Sequence, residues 1–102
     1  MPLIVTRTYT RPSHDIPWHF DVIDPSPYLE TIQSYNTEEK QIDVAREFSP
    51  DGLSFTYRGV WANEQAWIEY DTDPILKPYW EIVFDYYEAM GVVVGPKEFL
   101  TI

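Results

Sequence analysis

Both histidines of the chain, His14 and His19, fall in the single stretch Arg11-Pro-Ser-His-Asp-Ile-Pro-Trp-His-Phe-Asp21, together with the carboxylates Asp15 and Asp21. Two imidazoles and two carboxylates are a donor set that a divalent transition metal accepts. The spacing opposes it. Pro12 and Pro17 stiffen the backbone, no helical or strand period puts the four side chains on one face, and no other histidine could complete the set. No metal is expected. The stretch reads as a packed loop in which Trp18 and Phe20 plug the edge of the core. Alternatively it is a lid that lays those rings across a cavity mouth, with His19 offering a group that titrates near neutrality.

Other chemistries lack their parts. Ser13, Ser26, Ser34, Ser49 and Ser54 sit in no nucleophile-elbow context, and no glycine-rich phosphate loop can be drawn from four glycines. Asp71 and Asp73 are better explained as turn and cap residues than as a paired-carboxylate site. The absence of cysteine removes disulfides, thiolate metal sites and thiol nucleophiles together. No cofactor is expected.

Seven basic residues against seventeen acidic ones give a net charge of −10, which repels phosphate backbones and anionic membranes. Neither nucleic acid nor a membrane is an expected partner. Residues 62 to 95 carry seven acids and one base, and the acids Glu81, Asp85 and Glu88 share a helix face that is solvated or serves a basic protein partner. The N-terminus lacks the apolar run and small-residue cleavage site of a secretory signal, and no segment offers the roughly twenty apolar residues of a membrane helix. A cytoplasmic location follows as an expectation. Four Trp, eight Tyr and five Phe, at about 200 Å² apiece, exceed what one small core hides easily, so some should line a pocket or an interface.

At 102 residues the chain fits one domain, 1–102. Leu3 to Thr10 alternates as a strand dense in β-branched residues. Pro12, Pro17, Pro25 and Pro27 leave an irregular connection. Ser26 is placed to cap, and Pro27 to open, a short helix reaching Asn36. Gln41 to Phe48 alternates again, with Ile42, Val44, Arg46 and Phe48 on one face. The turn Ser49-Pro-Asp-Gly52 returns the chain as a third strand, Leu53 to Trp61. Asn63 caps a helix over Glu64 to Tyr70, a turn follows at 74 to 77, and the main helix runs from Pro78 to Met90 with Gly91 as its left-handed cap. Val92 to Val94 begins a last strand that continues past Gly95-Pro96 toward Phe99.

This order predicts an α+β fold of the ferredoxin-like, split βαβ kind, a four-stranded antiparallel sheet with its helices on one face. With strands rich in Leu, Val, Phe, Tyr and Trp, the uncovered face is expected to present a sizeable apolar patch, which a second copy covers, giving a homodimer.

Leu53-Ser-Phe-Thr-Tyr-Arg-Gly-Val-Trp61, then Ala62-Asn-Glu-Gln-Ala-Trp67, then Asp73-Pro-Ile-Leu-Lys-Pro-Tyr-Trp80 resembles the strand, capped helix and Asp-Pro helix of the dimeric α/β-barrel proteins, the antibiotic-biosynthesis-monooxygenase-like group. The opening Thr6-Arg-Thr-Tyr-Thr-Arg-Pro12 further resembles small phage proteins of marine cyanobacteria, which would place the chain in a host cytoplasm. The first resemblance implies two sheets enclosing a barrel and, in ligand-binding members, a cavity between each sheet and its own helices. Haem-degrading members hold iron through a histidine on the second long helix, and Asp73 to Gly91 has none. Cofactor-free members use polar and aromatic cavity residues. The counterparts available here for ligand binding are Tyr57, Trp61, Trp67, Trp80 and Tyr87, with Trp18 and His19 from the loop.

Two functions remain at this level. The first is a non-catalytic acidic interaction protein, phage-encoded, acting as a homodimer on a protein partner through its charged helix face or an aromatic edge. It leads because every catalytic set is incomplete. The alternative is a small-molecule-binding or cofactor-free monooxygenase-like protein, with a quinone-like or polyketide-like ligand held in an aromatic-lined cavity.

Overall fold

The computed structural model describes residues 1–102. Its elements run β1 (Leu3–Thr10), α1 (His19–Val22), α2 (Ser26–Thr37), β2 (Gln41–Phe48), β3 (Ser54–Trp61), α3 (Glu64–Asp71), α4 (Lys77–Met90), β4 (Val93–Val94) and β5 (Glu98–Thr101). All pairings are antiparallel, in the order β2-β3-β1-β4, with β5 also on β1. This is the ferredoxin-like arrangement. The sheet is open, and no helix is long and apolar enough to cross a membrane.

The final strand comes in two pieces for a steric reason. β4 pairs with Tyr9 and Thr10, β5 with Leu3 to Thr6, and between them Gly95 donates its N–H to the Thr8 carbonyl at 2.8 Å. A side chain on Gly95 would press within 2.9 Å of that carbonyl oxygen, so only glycine permits the approach, and Pro96 then supplies no donor. The sheet therefore has five strands where four are expected.

Three local features differ from the sequence reading. The connection after β1 contains a single turn of helix, α1. The start of α2 is not capped by Ser26. Asp24 instead accepts from the Ser26 backbone N–H at 2.9 Å and from its hydroxyl at 2.6 Å, while Pro25 and Pro27 occupy positions where a missing donor costs nothing. α4 begins at Lys77, with Pro78 tolerated in the first turn. Asn63 does cap α3, accepting from Ala66 N at 2.8 Å, and Gly91 closes α4 at φ 75°.

Leu3, Val5, Phe55 and Trp61 point from the sheet toward the helices, and Tyr35, Ala66, Leu76, Tyr79, Val83 and Tyr87 meet them. These residues are the core. Because each strand has one apolar set, and the helices take it, the bare face receives the other set. Its middle is a hydroxyl ladder, with Thr8 bonded to Thr56 at 2.9 Å and Thr10 to Ser54 at 3.0 Å, flanked by the Arg58–Asp43 pair at 3.7 Å. Ala45 stands opposite Arg58, and the larger apolar side chains gather toward the ends, at Ile4, Val60 and Leu100 and at Val93. The continuous apolar flank expected of this face is interrupted by a polar middle.

Candidate functional site

β2 is an edge strand, and the helices do not reach over it. By register Arg46 stands beside Tyr57, Phe48 beside Phe55 and Val44 beside Gly59, so all three β2 side chains face the helix layer. Yet Val44 is 48% exposed and Phe48 54%. The result is a shallow trough along β2 in which Val44, Arg46 and Phe48 are exposed, with Gly59, Phe55 and Trp61 of β3 buried beneath them.

Gly59 shapes that floor. The Tyr57 hydroxyl lies across the glycine α-carbon, and Trp61 Nε1 approaches the same point from the other side. Tyr57 Oη accepts from Gln41 Nε2 at 3.2 Å, leaving its own proton free to donate. Trp61 is fully buried, and its indole N–H has no partner. Burial pushes the Tyr57 phenol up to about 12 and raises Tyr9, Tyr70 and Tyr79 in the same sense. At neutral pH these phenols are donors, not bases.

The mouth is framed by α1. The Phe20 ring packs on Phe55 at 5.6 Å and Phe48 at 6.3 Å, and the Arg46 guanidinium lies 4.2 Å from its centroid. Behind them the rings continue inward: Tyr28 to Tyr79 at 5.3 Å, Tyr79 to Trp80 at 4.9 Å, Trp80 to Tyr70 at 5.9 Å and Tyr70 to Trp61 at 4.7 Å.

The residues named from the sequence separate into three places. Half-buried Tyr57 lies at the bottom of the trough, with Trp61 fully buried beneath it and half-buried Trp80 behind. Trp18, His19 and Tyr87 close one end as packing: Trp18 meets Phe55 edge-on at 4.7 Å beneath the Arg11 guanidinium, and Tyr87 is fully buried. Tyr87 Oη accepts the His19 backbone N–H at 3.1 Å and lies 2.5 Å from Nδ1. Burial, reinforced by the Arg46 charge, lowers His19 to about 4, so its imidazole is neutral and Nδ1 takes the Tyr87 proton. His19 is therefore a core residue. Phe20, not Trp18, spans the mouth. Trp67 lies elsewhere, lining a groove of about 330 Å³ with Leu3, Glu64, Ile68, Phe99 and Thr101.

His14 bonds the Asp51 carbonyl in the β2–β3 turn and is not near His19, so the loop donors do not converge. Sequence reasoning named Phe20 together with Trp18 as rings for the mouth but gave no site role to Gln41, Arg46, Phe48 or Tyr79. Arg46 did carry a signal, a charge on the otherwise apolar face of an alternating strand.

Chains of known structure share this geometry. A protein of Deinococcus radiodurans, provisionally assigned as an antibiotic biosynthesis monooxygenase, superposes with a TM-score of 0.68 at 13% identity, covering 98% of this chain and 91% of its own. SnoaB, a cofactor-independent oxygenase from Streptomyces nogalater, gives 0.59 at 12% identity over 99% and 92%. The ActVA-Orf6 monooxygenase of Streptomyces coelicolor, solved in complex with nanaomycin D, gives 0.56 at 16% over 98% and 86%. The fold is that of the antibiotic biosynthesis monooxygenases. No protein-family model matches the sequence, and no curated protein does. At these identities the likeness concerns the backbone, and Tyr57, Trp61 and Arg46 stand on their own geometry.

What the trough can do chemically follows from its parts. It offers ring faces on several sides, hydroxyl donors held protonated, and no free imidazole or thiolate. Such a site can seat a flat aromatic molecule and hydrogen-bond its oxygen substituents.

Proposed function

We propose that the chain binds an electron-rich aromatic small molecule in the trough and oxygenates it without a cofactor. The observation that carries this reading is the run of aromatic side chains between sheet and helices, from Trp61 and Tyr70 to Trp80 and Tyr79, beside the exposed β2 edge. The structural neighbours support it, since one is a cofactor-independent oxygenase and another is a monooxygenase solved in complex with nanaomycin D. The interaction-protein reading draws on the exposed acids Glu81, Asp85 and Glu88, which no partner-shaped feature accompanies. Every residue the proposal uses belongs to one copy of the chain, so it does not depend on a homodimer.

Without a flavin or metal, all four electrons that reduce dioxygen must come from the substrate. A phenol can provide them: 1-naphthol and dioxygen give 1,4-naphthoquinone and water, one oxygen atom entering the ring and the other leaving as water. The trough would hold the ring, keep its oxygen on the phenol donors and exclude bulk water. The test is titration with 1-naphthol and with nanaomycin D by tryptophan fluorescence, followed by oxygen consumption and quinone formation with 1-naphthol. Quenching with enzyme-dependent oxygen uptake is expected, and uptake should fall at least tenfold in Tyr57→Phe/Trp80→Ala. Absence of binding by either compound overturns the proposal.

A further inference from the structure

We infer that the outer edge of β5 is an interface between two copies of this chain, their β5 strands pairing antiparallel about a two-fold axis at Leu100, so that one sheet continues through both.

β5 pairs with β1 alone, and all of its residues are exposed. The direction of its free groups follows from the ladder. Continuing the β1–β5 register puts Ile102 opposite Pro2, whose carbonyl accepts its N–H at 3.1 Å. On the other side of β1, the register puts Arg11 opposite Leu53, to which it donates at 2.8 Å. Even-numbered residues of β1 therefore bond toward β5 and odd-numbered ones toward β3. In β5 this turns Leu100, like Ile102, to β1, and leaves the N–H and C=O of Phe99 and Thr101 pointing away from the sheet. A second β5 with its Leu100 opposite this one sets Phe99 against the partner's Thr101, and Thr101 against the partner's Phe99. Every outward donor and acceptor of those residues is then matched.

The side chains agree with that register. Phe99 is 56% exposed and Leu100 61%. The two Leu100 side chains meet on the bare-face side, and the partner's Phe99 lies beside Thr101 on the helix side. There the groove of about 330 Å³, lined by Leu3, Trp67, Ile68 and Thr101, can receive its ring.

The contrast between the two sheet edges favours a second copy as the occupant. β2 carries Asp43, Arg46 and Glu47 and a break in register, devices that keep a free edge from pairing. β5 has no bulge, proline or lysine, and its single charge, Glu98, falls opposite the partner's Ile102, with the two glutamates at opposite ends of the pair. Elsewhere a net charge of −10 makes two copies repel. This edge is self-complementary on a surface that is otherwise self-repelling.

The contact is of the size of weak interfaces, so association is measured at about 100 µM chain. Sedimentation equilibrium should show dimers there, with affinity weakened about tenfold or more in Leu100→Glu. Leu100→Cys adds a geometric readout in a chain that has no cysteine. Opposed residues that exchange no backbone bonds lie about 4.5 Å apart at Cα, within reach of a disulfide. Under mild oxidation Leu100→Cys should cross-link about tenfold or more faster than Val93→Cys, a position 66% exposed on the same side but away from β5. Single chains at that concentration, dimers indifferent to Leu100→Glu, or equal cross-linking of the two cysteine variants would each overturn the inference.

Discussion

Tyr57 rests its hydroxyl on Gly59: a methyl group on that α-carbon would sit 2.5 Å from Tyr57 Oη and 3.0 Å from Trp61 Nε1. The three residues share one face of β3 and are mutually dependent.

Gly59→Ala must therefore displace the Tyr57 ring or strain the strand, with a cost of about 1–3 kcal/mol by overpacking. Combining it with Tyr57→Phe, which removes the crowding oxygen, should cost less than the sum of the two single changes. Urea denaturation of the four proteins measures the coupling, and strict additivity would show that the contact does not exist in solution.

The unpartnered Trp61 N–H makes an unusual prediction for a fully buried residue. Trp61→Phe removes a donor whose burial is uncompensated as well as some ring volume, so it should cost well under the about 3–5 kcal/mol expected of Trp61→Ala. Thermal or chemical unfolding of both variants decides it.

His19 links stability to pH. Its folded-state value of about 4 lies below the ordinary 6.5, so the unfolded chain binds the extra proton first as pH falls. The stabilisation is complete above pH 6.5 and is lost progressively down to about 4, amounting to on the order of 1–3 kcal/mol. Unfolding free energies measured between pH 7.5 and 5 should fall in the native protein and flatten in His19→Gln. Tyr87→Phe should cost about 1–3 kcal/mol at pH 7.5 because it strands the His19 backbone N–H and Nδ1 together.

Much of the backbone was legible in the residues. Leu3–Thr10 and Gln41–Phe48 fall where alternation places them, and Asn63 and Gly91 do what their types suggest at helix ends. α1 was not legible, since four residues between prolines carry no period. The composition of the bare face was misjudged for a definite reason. Alternation tells which side chains share a face but not which face the helices will claim, and they claimed the apolar one. Of the residues named for the site, Tyr57 and Trp61 face the helix layer, where the alternation of β3 places them. Trp18, His19 and Tyr87 match the same rule but pack against each other, and Trp67 is carried to the β1–β5 side by its helix. Arg46 was visible as an anomaly on β2, yet its meaning depended on Phe20 arriving from a turn of helix that no pattern announced.

β2 carries one wall of the trough and is held to the sheet from one side only, with its register broken between Gln41 and Asp43. A strand so placed opens more readily than β1 or β3, which are clasped on both sides. Its amides are thus a built-in reporter: a molecule lying against Val44 and Phe48 would slow hydrogen exchange along that strand first, while the doubly bordered strands, already slow, would scarcely register the visitor.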